Sequence, residues 1–76
     1  MALVTSLQHL SMEKAGPHLG AKCTYSIIRD LDGRLCLQID TYGSAGRKIP
    51  GGKSQSMRFT PEAIAQLRSV LETHFR

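Results

Sequence analysis

Two runs of alternating apolar and polar residues flank an Asp-Gly step, and no other feature restricts the fold of this chain as much. Before the step, Tyr25, Ile27 and Arg29 alternate with Thr24, Ser26 and Ile28. After it, Leu35, Leu37 and Ile39 alternate with Cys36, Gln38 and Asp40. A period of two on both sides of a tight turn predicts an antiparallel hairpin. Two registers compete. A two-residue Asp32-Gly33 turn pairs Ile28 with Leu37 but places Ser26 and Asp30 on the apolar face. A three-residue loop, with Gly33 in the left-handed position of a bulge, pairs Ile27 with Leu37 and Tyr25 with Ile39. The second register gathers Tyr25, Ile27, Leu35, Leu37 and Ile39 on one side. A one-residue slip exchanges the buried and exposed sets, so the second register is the one expected. It also settles the cysteines. Cys23 points to the core face and Cys36 to the opposite one, at different levels of the hairpin, so they should not bond. Both read as small apolar side chains.

Downstream, Ser54–Phe59 reads as a third strand with Met57 and Phe59 on one side. Thr60 is a good N-cap, and Pro61 suits the first helical position because its missing N–H would have no partner there. Glu62 lies in the first turn, where the helix dipole favours negative charge. Ile64, Leu67, Val70, Leu71 and Phe75 form an apolar stripe down roughly 21 Å of helix, with Arg68 and Glu72 on the polar side. The helix should lie across the apolar face of the sheet. The expected fold is α+β: an antiparallel β-meander followed by a C-terminal amphipathic helix, within residues 21–76. Residues 1–20 read differently. Leu3, Leu7 and Leu10 recur at helical spacing, so they form either a short helix over about Thr5–Lys14 or a frayed tail, ended by Gly16, Pro17 and Gly20.

Seventy-six residues make one small domain that buries only roughly 60–65% of its unfolded surface, so a supplement to stability is expected. Metal is disfavoured, because His9, His18, His74, Cys23 and Cys36 lack ligand-like spacing. With the disulfide set aside, self-association remains, and a homodimer is expected. No run of about 20 apolar residues suggests a membrane span. The stretch Met1–Leu10 lacks the basic region and long apolar core of a signal peptide. Two cysteines without a framework suit a reducing cytosol, so a cytoplasmic location is expected.

Charge is unevenly distributed. Between Thr41 and Pro61 there is no acidic residue, while Arg47, Lys48, Lys53 and Arg58 are basic; elsewhere six basic residues balance six acids. The whole formal net charge of +4 therefore sits in one glycine-rich stretch. A donor-rich cationic loop on an otherwise neutral domain suits an anion, most commonly a polyanionic backbone. The plain alternative is a solvated loop that serves solubility.

From Tyr25 to Leu71 the chain resembles the single-stranded-DNA-binding domain of the positive cofactor four transcriptional coactivator family. The shared elements run in order: Arg29-Asp30, Gly33 at the hairpin, a strand containing Ile39 and ending at Tyr42, Gly46, Pro50-Gly51, Lys53, Pro61-Glu62, then Gln66-Leu67. The match needs a two-residue deletion after Gly43 and a two-residue insertion before Thr60. It implies a strongly curved antiparallel sheet and a helix, a symmetric dimer built partly by the helices, and basic grooves for unpaired nucleic acid. The chain also departs from the pattern. Leu31 and Gly43 stand where the family carries aromatic rings, and Asp40 where it carries a basic residue. Stacking is worth roughly 1–3 kcal/mol per base, so its loss leaves phosphate contacts dominant, with steep salt dependence and little sequence preference.

The candidate nucleic-acid contacts are therefore Arg34, Arg47, Lys48, Lys53 and Arg58, with Tyr42 as the one remaining stacking ring. Each has a plainer reading: the loop cations as a solubilising rim, Arg34 as the partner of Asp30, Tyr42 as packing for the loop. Tyr42 shares the polar face with Asp40, so it should be more exposed than Tyr25. Gly43, Gly46, Gly51 and Gly52 serve turn geometry; no Gly-Lys-Ser/Thr ending opens a helix to make a nucleotide site. No histidine is placed to activate Ser44, Ser54 or Ser56. Asp30 and Asp40 share a face but have no pocket. Neither an enzyme nor a cofactor or small-molecule substrate is expected. Two functions stay open: a homodimeric module binding single-stranded DNA or RNA, as a transcription coactivator does, or a protein-interaction module that keeps the fold without nucleic-acid binding.

Overall fold

A computed structural model describes residues 1–14, 16–18, 20–42 and 53–75. Four strands and one helix follow in order: β1 (Ala2–Val4), β2 (Cys23–Arg29), β3 (Leu35–Tyr42), β4 (Lys53–Phe59) and α1 (Pro61–His74). The sheet order is β1-β4-β3-β2. Strands β2, β3 and β4 form the expected meander. β1, however, pairs with β4 in parallel, Ala2 opposite Met57 and Val4 opposite Phe59, so the four-stranded sheet is mixed rather than antiparallel.

The hairpin takes the three-residue loop. Tyr25 pairs with Ile39 and Ile27 with Leu37, and Gly33 has φ 78°, a left-handed conformation that costs any other residue strain. Asp30 holds the turn in place. Its Oδ1 accepts from the backbone N–H of Asp32 and of Arg34, each at 2.9 Å, an arrangement in which a side chain imitates a backbone turn. β3 continues antiparallel to β4, Leu37 opposite Phe59 and Asp40 opposite Ser56, with a bulge at Thr41/Tyr42.

The helix starts as expected. The Thr60 side chain accepts from the N–H of Ala63, Pro61 opens the first turn and Glu62 follows. The Thr60 backbone N–H in turn donates to the Val4 carbonyl at 3.1 Å, so the cap also ties down β1.

One alternative is excluded and two expectations are corrected. No helix forms over 5–14; instead Ala2–Val4 joins the sheet, and the Leu7 N–H donates to Gln66 Oε1 at 2.7 Å. A helix this short gains little by itself, whereas an open strand edge satisfies a backbone at once. The apolar face is only partly covered. The helix packs on β3 and β4, leaving Tyr25 74%, Ile27 62% and Leu35 49% exposed, while Leu37 and Ile39 are half-buried. The stripe on α1 is similarly open at Val70, Leu71 and Phe75. Finally, Tyr42 is half-buried and Tyr25 exposed, the reverse of the order expected. Polar parity placed Tyr42 with Asp40, but Asp40 lies in a covered part of that face.

The buried apolar residues among those described are Cys36, Phe59 and Ala63, the last two flanking the junction of β4 and α1. Both cysteines are free, with Cys36 buried on the face opposite Cys23. A groove of about 420 Å³ runs between helix and sheet, lined by Ile27, Leu35, Leu37, Pro61, Ile64 and Arg68 among others.

Candidate nucleic-acid interface

The face of the sheet away from Tyr25 and Ile27 is built by parity from Thr24 and Ser26 on β2, Gln38, Asp40 and Tyr42 on β3, and Ser56 and Arg58 on β4. Its centre is a polar ladder. Arg58 donates through Nε (3.1 Å) and Nη2 (2.8 Å) to Gln38 Oε1. Gln38 passes its own Nε2 to both Asp40 carboxylate oxygens, at 3.2 Å each. Ser56 Oγ donates to Asp40 Oδ1 from the neighbouring strand. The cross-strand pairings Gln38–Arg58 and Asp40–Ser56 create this order, because directly opposed side chains lie within reach of each other. Asp40 is only 3% exposed, so its negative charge is held by donors rather than by water. Every buried side-chain nitrogen or oxygen among the described residues has a partner.

At the upper end of this face, Tyr42 and Thr24 share a hydrogen bond between hydroxyls (2.9 Å), which orients the ring. Tyr42 is also opposed to Lys53, the first residue of β4. The basic connection leaves and re-enters the sheet at this pair. Arg47 and Lys48 lie outside the described residues.

The four candidates among the described residues differ in where they lie. Tyr42 and Lys53 are paired at the end of β3 and β4 where the basic connection joins the sheet, while Arg58 lies five residues further along β4, opposite Gln38, with its guanidinium on a neutral amide, so its charge is not cancelled by that partner. Arg34 stands apart. It lies at the hairpin end, about 27 Å from Tyr42 along the strand. Its Nη2 pairs with Glu62 Oε2, and its Nε lies 4.0 Å from Asp30 Oδ2. Two acids neutralise it where the helix starts. The Asp30 pairing weighed from the sequence is present, and the Glu62 partner is added to it.

Sequence reasoning missed Gln38, Ser56 and Thr24. The signal was available in the parity of the strands, which sets Thr24, Gln38, Asp40, Ser56 and Arg58 on one face. The chemistry offered is cation and hydroxyl donors around a covered carboxylate, with one tyrosine at the margin. No group of three or more His, Cys, Asp or Glu side chains that could hold a metal occurs among the described residues, and no helix of theirs is long and apolar enough to cross a membrane. No family model, curated protein or solved structure matches this chain.

Proposed function

We propose that the chain is a homodimeric module that binds single-stranded DNA or RNA, as positive cofactor four coactivators do, through the 43–58 segment and the adjoining polar sheet face. The observation that carries this reading is the acid-free run from Thr41 to Pro61 with Arg47, Lys48, Lys53 and Arg58, joined to the sheet at the Tyr42–Lys53 pair. With the half-buried Tyr42 as the one ring on this face among the described residues, the contacts are to phosphates. Arg34, neutralised at the far end, contributes little. Dimerisation is supported by the small core and the uncovered apolar side chains, and a cytoplasmic location by the free cysteines.

Four phosphate contacts on a single strand give a salt slope of about −2.8, so affinity falls about 50-fold between 50 and 200 mM salt. Titration of a labelled single-stranded oligonucleotide at those two concentrations tests this. Reversing Lys48 and Lys53 to Glu should at least halve the slope. Affinity indifferent to salt, or to the double reversal, would sink the reading.

A second reading is favoured by Tyr25, Ile27 and Leu35, whose exposure offers an apolar surface to a protein partner. Recovery of one defined protein after nuclease treatment, with no oligonucleotide binding, would support that alternative.

A further inference from the structure

The sheet ends on β2, and the direction of its backbone groups can be read from two hydrogen bonds. The Tyr42 N–H donates to the Lys22 carbonyl at 3.2 Å, and the Asp30 N–H to the Arg34 carbonyl at 3.0 Å. Even-numbered residues of this strand therefore bond β3. The N–H and C=O of Cys23, Tyr25, Ile27 and Arg29 point away from it, along the open edge.

Edges of this kind are usually blunted by proline, lysine, a bulge or brevity. β2 has none of these: it is seven residues long, CTYSIIR, and pairs with β3 without a register break. Its only charge is Arg29, at its end. The opposite edge, β1, is by contrast only three residues. The outward-bonding residues of β2 are also those whose side chains lie on the apolar face, including Tyr25 and Ile27. Tyr25 and Ile27 are 74% and 62% exposed, large apolar side chains on this edge that a second copy would cover. An interface of standard size takes about 800 Å² from each partner.

We propose that β2 is a homodimer interface, two copies pairing their β2 strands antiparallel about a two-fold axis at Ser26. This specifies the surface behind the homodimer named above and is independent of nucleic-acid binding. Overlap of the whole of Cys23–Arg29 admits one register. Tyr25 faces the partner's Ile27, and Cys23 faces the partner's Arg29. Each outward N–H and C=O then finds a carbonyl or amide, and aromatic and β-branched side chains sit side by side, a favourable cross-strand pair. The two sheets become one of eight strands, ended on both sides by the short β1.

Sedimentation equilibrium of the full chain should show a dimer. Ile27→Pro deletes an outward N–H and none of the bonds to β3, a position where an edge strand tolerates proline. Two inter-chain hydrogen bonds are lost per dimer, so its Kd should rise about 30-fold, with circular dichroism checking that the fold persists. A second variant covers the case in which it does not. Arg29→Cys gives up only an exposed bond to the Gly33 carbonyl and brings a thiol opposite the partner's Cys23. Hydrogen-bonded antiparallel pairs have Cα atoms about 5.5 Å apart, within disulfide reach. Within one chain the two positions are about 20 Å apart, so a disulfide-linked dimer on a non-reducing gel reports the pairing. A wild-type chain monomeric at about 100 µM overturns both the dimer and this surface, leaving the edge for a strand of another protein. A wild-type dimer whose Arg29→Cys variant forms no linked species overturns only the surface, and assigns the dimer elsewhere.

Discussion

Ser56→Ala isolates the polar ladder with a single atom removed. In the native chain, the buried Asp40 carboxylate receives the Ser56 hydroxyl and the Gln38 amide. Alanine keeps the strand geometry but withdraws one donor from a carboxylate that is 3% exposed. A hydrogen bond to a charged group is worth about 1.5–3 kcal/mol net. For a domain of this size, 1 kcal/mol shifts Tm by about 4–8 °C, so a loss of about 2 kcal/mol lowers Tm by roughly 8–16 °C. Thermal melts followed by circular dichroism, at one fixed protein concentration so that any concentration dependence of Tm is common to both proteins, give that number. The cause is checked by a cycle with Asp40→Asn. If the charge makes the hydroxyl valuable, Ser56→Ala costs markedly less in the Asp40→Asn background, with a coupling of about 1 kcal/mol or more. A shift below about 2 °C, or strictly additive costs, refutes the assignment of the ladder as a stabilising network.

Two further substitutions test local devices. Thr60→Ala removes the side-chain oxygen that accepts from Ala63 N–H; urea unfolding should show a loss of about 1 kcal/mol, and no loss would mean the cap is redundant. Gly33→Ala meets no neighbouring atom within 4 Å but must hold φ +78°, so a loss of about 1–2 kcal/mol, from backbone strain alone, is expected in the same assay.

The parts of this fold that were legible in sequence are those whose cause is local. The hairpin register was readable because Asp30 and Gly33 supply the turn and the alternation on each side points one way. The helix start was readable because Thr60, Pro61 and Glu62 each suit one position. What failed depends on partners far along the chain. Nothing in Ala2-Leu3-Val4 announces a parallel partner at Met57–Phe59, and of the three leucines whose spacing suggested a helix only Leu3 falls in the strand. Alternation told which side Tyr25 and Ile27 face, but not how far the helix would extend across the sheet. Polar residues at alternate positions of β3 and β4 read as solvated, because one strand alone does not show that Ser56 and Gln38 meet over Asp40. The candidate site was legible in its charge and its ends, Tyr42 and Lys53. Arg34 was drawn aside by Glu62, a partner 28 positions away.

The pairing of β1 with β4 has a kinetic consequence. The hairpin between β2 and β3 closes a loop of three residues, while joining Ala2 to Met57 encloses most of the chain. On the logarithmic dependence of closure entropy on length, the longer loop costs about 2.6 kcal/mol more, and only three residue pairs offset it. The strand met first along the chain is therefore the last to be added, docking on a sheet whose cap at Thr60 is already made. Its release returns the Thr60 N–H to water and leaves the meander and helix standing, so the earliest opening of this domain begins at its amino end.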